Sequence, residues 1–188
     1  MLRVKSIKTN LVVSGLYMGY PATVIKLLRN GKNTEQNEVV DAIKENGHKT
    51  VVIKGAIMEN PEVKTLITGL SSIGHTVIVC TDGADDIGPV RGVRNCYFQV
   101  KITPPSSKEN KNNVGMLGYL KPEDELLFVI DKEETYANSL SFLTARIITK
   151  PTVTFMVEDS ELKDKILEDS IKFRFKCRIL QMKIDDYL

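Results

Sequence analysis

The sequence predicts an α/β fold with a mainly parallel sheet. Apolar runs of strand length alternate with segments whose apolar residues recur at helical spacing, along most of the 188 residues. Two successive joints repeat, Gly47-His48-Lys49-Thr50-Val51-Val52-Ile53 and Gly74-His75-Thr76-Val77-Ile78-Val79, and such helix–Gly–His–strand repetition is what βα units produce. The alternation continues in the second half, where strands at Leu126–Ile130 and Thr152–Val157 are each followed by a helical pattern.

Taken in order, Thr23–Leu28 is a short apolar strand, and Gly31-Lys32-Asn33-Thr34 is expected to make a turn and an N-cap. The helix that follows places Val39, Val40 and Ile43 on one face and stops at Gly47. After the strand Thr50–Ile53, Asn60-Pro61 reads as a helix start, a capping residue followed by proline at the first helical position. Val63, Leu66, Ile67 and Leu70 then recur until Gly74. Thr76–Cys80 and Cys96–Ile102 are buried strands, separated by a loop containing Gly88-Pro89. Asp131 is expected to cap a helix with Glu133 and Glu134 in its first turn, where the helix dipole favours them. Ser160–Ile171 is expected to turn Leu162, Ile166 and Leu167 inward. Phe173–Ile179 is expected as a last strand, with Phe173, Phe175, Cys177 and Ile179 on one face and Arg174, Lys176 and Arg178 on the other.

Length and composition suit one domain with a real core, residues 1–188. A net charge of +2 favours no particular partner. No apolar run of about 18 residues exists to span a membrane, and Met1-Leu2-Arg3-Val4-Lys5 enters mixed polar sequence without a signal-peptide block. A cytoplasmic protein is expected. Cys80, Cys96 and Cys177 are far apart and form no CxxC pair, two of them lie in apolar strand-like runs and read as buried inert thiols, and no chemistry is assigned to any of the three. His48 and His75 sit at the repeated joints, with no acidic partner at metal-ligand spacing, and read as solvent-facing or capping groups. The basic positions Lys172, Arg174, Lys176 and Arg178 are the candidate for nucleic acid, against the plainer reading of a solvated face near a sheet edge. Asp82, Asp85 and Asp86 are the carboxylate cluster beside a strand end on which any new acid–base chemistry would depend. The long irregular stretch Thr103–Lys121 is the best local candidate for a binding element.

Several segments, in order, carry a family resemblance. Pro104-Pro105-Ser106-Ser107-Lys108 matches a PPSS stretch, Asp124-Glu125-Leu126-Leu127-Phe128-Val129-Ile130 matches a DELKFVI strand, and Thr81-Asp82-Gly83 stands for Thr-Asn-Gly. Val51-Val52-Ile53-Lys54-Gly55 resembles the strand leading into a GGEP motif. Gly15–Leu28 and Arg178-Ile179-Leu180-Gln181 resemble the opening and closing segments. Over nearly its whole length the chain resembles 7-carboxy-7-deazaguanine synthase, a radical-SAM enzyme of deazaguanine and queuosine biosynthesis. The resemblance implies a reduced, partly open (β/α) barrel of radical-SAM type, its cluster loop replaced by the turn and helix at Gly31–Asn46.

The departures fall on the chemistry. The family's CxxxCxxC loop holds a four-iron cluster, and its positions fall here at Asn30, Thr34 and Asn37. Amides and a hydroxyl do not replace soft thiolates on iron. GGEP becomes Gly55-Ala56-Ile57-Met58, so Ile57 stands where a glutamate would receive the amino group of SAM. The lysine of DELKFVI is Leu127. The chain is therefore expected to be a pseudoenzyme with no cofactor and no metal. It is expected to act by binding a protein partner, for instance as a phage-encoded regulator or inhibitor of a host protein, or as a homodimer like its relatives. The alternative is a binding protein for a deazapurine, purine or nucleotide, with Thr81, Asp82, Gly83, Pro104, Pro105, Ser106, Ser107 and Lys108 lining a remnant cleft.

Overall fold

The computed structural model describes residues 1–57, 60–103, 114–146 and 150–182. Its strands form a 9-stranded sheet: β1 (Leu2–Leu11), β2 (Pro21–Leu27), β3 (Lys32–Thr34), β4 (Thr50–Gly55), β5 (Thr76–Thr81), β6 (Cys96–Ile102), β7 (Glu125–Ile130), β8 (Thr152–Val157) and β9 (Cys177–Gln181). The order is β3-β1-β2-β4-β5-β6-β7-β8-β9. Every pairing from β2 to β9 is parallel, and β1 and β3 add as antiparallel strands at one edge. The helices are α1 (Gln36–Asn46), α2 (Val63–Ser72), α3 (Glu133–Arg146) and α4 (Ser160–Phe173).

From β4 onward strand order follows chain order. Right-handed crossovers that always step the same way place every helix on the same side of the sheet. The core agrees: Ile25, Ile53, Val79, Phe98, Phe128 and Phe155 join the helix residues Val39, Ile43, Leu66, Phe142 and Ile166 in one buried cluster. The opposite face carries a small second cluster of Val12, Ala22, Val52 and Ile78. Helices on one side of an open, mainly parallel sheet match the expected α/β architecture, and among the described residues β3 and β9 are its two edges.

Most elements fall where their periodicity places them, and the differences have local causes. β1 is absent from the expectation. Its apolar residues Leu2, Val4 and Ile7 are spaced two and then three apart, because a bulge between Val4 and Ser6 shifts the register. Lys32–Thr34 is a strand paired with Leu2–Val4, not a turn with a cap, and α1 begins after Glu35 with no side-chain cap. Asn60 does not cap α2. It is buried, where its Nδ2 donates to the Ala56 carbonyl at 2.6 Å and its Oδ1 accepts from Arg3 N at 2.8 Å. It thereby ties β1 to the β4–α2 connection. Asp131 accepts from the Thr135 hydroxyl just ahead of α3.

At the C-terminal end, α4 runs through Phe173 and Arg174 closes it at φ 54°. Phe173 is consequently exposed, and the expected row of Arg174, Lys176 and Arg178 on one strand face does not form: of the three only Arg178 lies in a strand. Phe175 still reaches the core, 6.3 Å from Phe155 between ring centroids. Leu167 is 48% exposed, not inward, because the buried stripe of α4 follows Leu162 and Ile166 at i, i+4 spacing. Among the described residues no helix is long and apolar enough to cross a membrane.

Candidate functional site

Strand alternation puts Lys26, Lys54 and Lys101 on the sheet face opposite the helices. Each follows a β-branched core residue near the C-terminal end of its strand: Ile25-Lys26, Ile53-Lys54 and Val100-Lys101. The register aligns them. Lys26 pairs with Lys54, Lys54 with Cys80, Cys80 with Gln99 and Gln99 with Glu125, so one row crosses β2, β4, β5, β6 and β7. Lys101 lies one step further along β6.

Lys26, Lys54, Cys80 and Lys101 line a cleft of ≈ 370 Å³ with Arg29, Gly55, Ala56, Thr81, Asp82 and Asp85. The cleft lies at the C-terminal ends of parallel strands, the usual ligand position in such sheets. Four cationic side chains face two carboxylates, so the lining favours an anion. Partial burial, then the neighbouring Lys54 and Lys5 ammonium groups, lowers the Lys26 pKa. An added negative charge would relieve that repulsion. Gly55, at φ 98°, shapes the cleft edge: a Cβ there would lie 2.1 Å from the Leu27 carbonyl oxygen, so only glycine allows that approach.

Further along the same face, a buried polar network holds the connection between β1 and β2 against the sheet. Ser14 Oγ donates to Glu125 Oε2 at 2.8 Å, Gln99 Nε2 donates to the Ser14 carbonyl at 2.7 Å, and the Thr154 hydroxyl donates to Glu125 Oε1. Gly15, at φ 80°, passes so close that a Cβ would meet Gln99 Nε2 at 2.8 Å. Burial raises the Glu125 pKa, and the hydroxyls of Thr154 and Ser14 and the charge of Arg178 offset this in part. Asp124 is a clamp between strands, accepting from Phe98 N at 2.8 Å and Lys121 N at 2.7 Å.

Of the positions picked from sequence, Thr81 and Asp82 line the cleft, and Gly83 shapes the turn after β5 at φ 84°. Pro104, Pro105, Ser106, Ser107 and Lys108 lie outside the described residues. Asp82, Asp85 and Asp86 are engaged in loop geometry: Asp82 accepts from Ala84 N, Asp85 from the Thr81 hydroxyl and Asp86 from Gly88 N. Sequence reasoning missed Lys26, Lys54, Lys101, Gln99 and Glu125. The repeated β-branched–Lys pair at the ends of three strands was the available signal.

The residues do not fit an iron–sulfur cluster. Asn30 and Asn37 are exposed, and the Thr34 hydroxyl donates to the Lys32 carbonyl at 3.3 Å. Cys80 lies near the C-terminal end of β5, whereas Cys96 and Cys177 open β6 and β9 at the N-terminal ends of the parallel strands. Burial pushes the Cys80 and Cys96 thiols up to about 12, the reverse of what thiolate ligation needs. No group of three His, Cys, Asp or Glu among the described residues is placed to hold a metal ion. Ile57 is fully buried in the helix-side core, and Leu127 is fully buried too.

No family model matches the sequence, and no curated protein matches it. Among solved structures, the chain is similar to the crystal structure of QueE from Escherichia coli. The TM-score is 0.70 at 13% identity, over 96% of this chain and 94% of that one. QueE is a 7-carboxy-7-deazaguanine synthase, so the likeness in fold falls on the family whose segments the sequence resembles. At this identity the likeness is one of fold.

Proposed function

We propose that this chain has the QueE-like fold without the radical-SAM reaction, and that it binds a small anionic ligand of the deazapurine, purine or nucleotide class in the cleft. One observation carries this: Lys26, Lys54, Lys101 and Arg29 line a single cleft at the strand ends. A thermal-shift and calorimetric screen of guanine analogues, nucleotides and SAM tests it. Phosphorylated or carboxylated compounds should bind and Lys54→Ala should weaken them; no response to any anion overturns the reading. Anaerobic reconstitution with iron and sulfide should give no four-iron absorbance, and stoichiometric incorporation would overturn the non-catalytic assignment.

A second function, action on a protein partner, is supported by a different observation. Leu11, Leu16, Met18 and Tyr20 are each more than half exposed at and beside the β1–β2 connection. A phage-encoded regulator of a host protein, or a homodimer, would use such a surface. Pull-down from the native cell together with light scattering should show a partner or second copy that is lost in Leu16→Asp/Met18→Asp. An unchanged monomer with no partner sensitive to that change would sink it.

A further inference from the structure

A second concavity lies at the other end of the sheet, where the parallel strands begin. It measures ≈ 500 Å³, inside the range of about 300–1,000 Å³ common to small-molecule sites. Leu140 and Leu143, three positions apart on one face of α3, form one wall. Pro151 and Val153 at the start of β8, Phe175 ahead of β9 and Pro122 ahead of β7 complete the apolar lining. Val153 pairs with Cys177, so Pro151–Thr152 and Phe175–Lys176 enter the sheet side by side. Leu140, Leu143 and Phe175 pack against the core on one side but are only partly buried, and each turns the rest of its surface to the groove.

The polar groups of the groove are few and of one sign. Lys150 and Lys176 line it beside Thr144 and Thr152, and among the described residues no carboxylate does. Neither lysine belongs to an ion pair among the described residues. Glu123 and Asp124 follow Pro122 in sequence but lie outside the lining, and Asp124 is taken up by its bonds to Phe98 N and Lys121 N. The C-terminal ends of α3 and α4 face the same end of the sheet, and each repels an anion with about half a charge. Lys172 in the last turn of α4 and Arg174 at its cap add to the two groove lysines and reverse that sign. We infer that the groove binds an alkyl carboxylate, its hydrocarbon chain between Leu140–Leu143 and Val153–Phe175 and its head at Lys150 and Lys176. The chain removes the leucines and the phenylalanine from water, and the head pairs with lysines one to three positions from Pro151, Val153 and Phe175 in sequence. This site shares no lining residue with the cleft and is independent of the reading given to it.

Isothermal titration of the intact protein with hexanoate, octanoate and decanoate, and with octanol as the uncharged chain, tests this. Affinity should rise about two- to fourfold with each methylene. The double variant Lys150→Glu/Lys176→Glu should weaken octanoate at least about fivefold and leave octanol unchanged. Thr144→Trp, at an exposed position of α3, should fill the groove and abolish binding of both. Circular dichroism melts establish that the variants are folded. No binding of decanoate, an affinity that does not change along the series, octanol as tight as octanoate, or octanoate binding untouched by Thr144→Trp overturns the site. Co-sedimentation with anionic phospholipid vesicles without binding of any free carboxylate overturns it too, in favour of a membrane surface. None of these results bears on the cleft, which Lys54→Ala probes separately.

Discussion

Ile57→Glu would restore the family's carboxylate at the position the resemblance assigns to it, and the structure predicts that the protein will not tolerate it. Ile57 is 0% exposed and sits in the helix-side core. Losing a buried isoleucine costs about 1.5–3 kcal/mol. A carboxyl left there without a partner costs about 1–3 kcal/mol more, even after it takes up a proton. The total is about 2.5–6 kcal/mol, and at this chain length each kcal/mol moves Tm by about 2–4 °C, so the midpoint should fall by about 5–24 °C. Ile57→Val is the control, at about 0.5–1.5 kcal/mol. Urea melts at several pH values provide the assay. The introduced glutamate's folded pKa would lie above its unfolded value, so the damage should be least below the unfolded pKa and grow as pH rises through the folded one. A variant at pH 7 within about 1 kcal/mol of the parent would mean that residue 57 faces the cleft, and the reasoning from its burial would fail.

Three further outcomes follow from the same geometry. Burial raises the folded pKa of Glu125, so its favourable contribution is present below the unfolded value and is lost as pH rises through the folded one. Glu125→Gln should therefore flatten the gain in Tm on acidification from neutral pH; an identical slope in parent and variant would remove the claim. Gly55→Ala should cost at least about 2 kcal/mol in urea melts, because its Cβ would lie 2.1 Å from the Leu27 carbonyl oxygen, and a cost below about 0.5 kcal/mol would contradict that contact. Asp159 accepts from Leu162 N at 2.8 Å as the N-cap of α4, so Asp159→Ala should lower stability by about 1 kcal/mol, with no loss as the contrary result.

The fold was legible where periodicity is local. β6 and β8 match their expected bounds, and all four apolar positions of α2 are buried. It was illegible where a bulge broke the alternation, as in β1, and where a residue with strong capping preference was recruited to a long-range bond, as Asn60 was. The C-terminal region misled for a different reason. Its alternation is genuine from Phe175 to Ile179, but a left-handed residue at Arg174 ends a helix inside the same pattern. That Asn30, Thr34 and Asn37 are not cysteines needs only residue identities, so the sequence alone gives it. The lysine row needed register, which places Lys26 beside Lys54 across a gap of 28 positions, and no local pattern contains that information.

The Ser14–Glu125 hydrogen bond also bears on how the chain folds as it is synthesised. Its partners are separated by 111 residues, and the Gln99–Ser14 bonds span 85. At about 5–20 residues per second on the ribosome, Ser14 emerges about 6–22 s before the carboxylate that will hold it. Over that interval β2, β4 and β5, whose contacts are nearer in sequence, have time to assemble around α1 and α2. The β1–β2 connection, with Leu11, Leu16, Met18 and Tyr20, must wait undocked. The β1–β2 connection, made well before Gln99 and Glu125, is thus among the last parts of this sheet face to be secured.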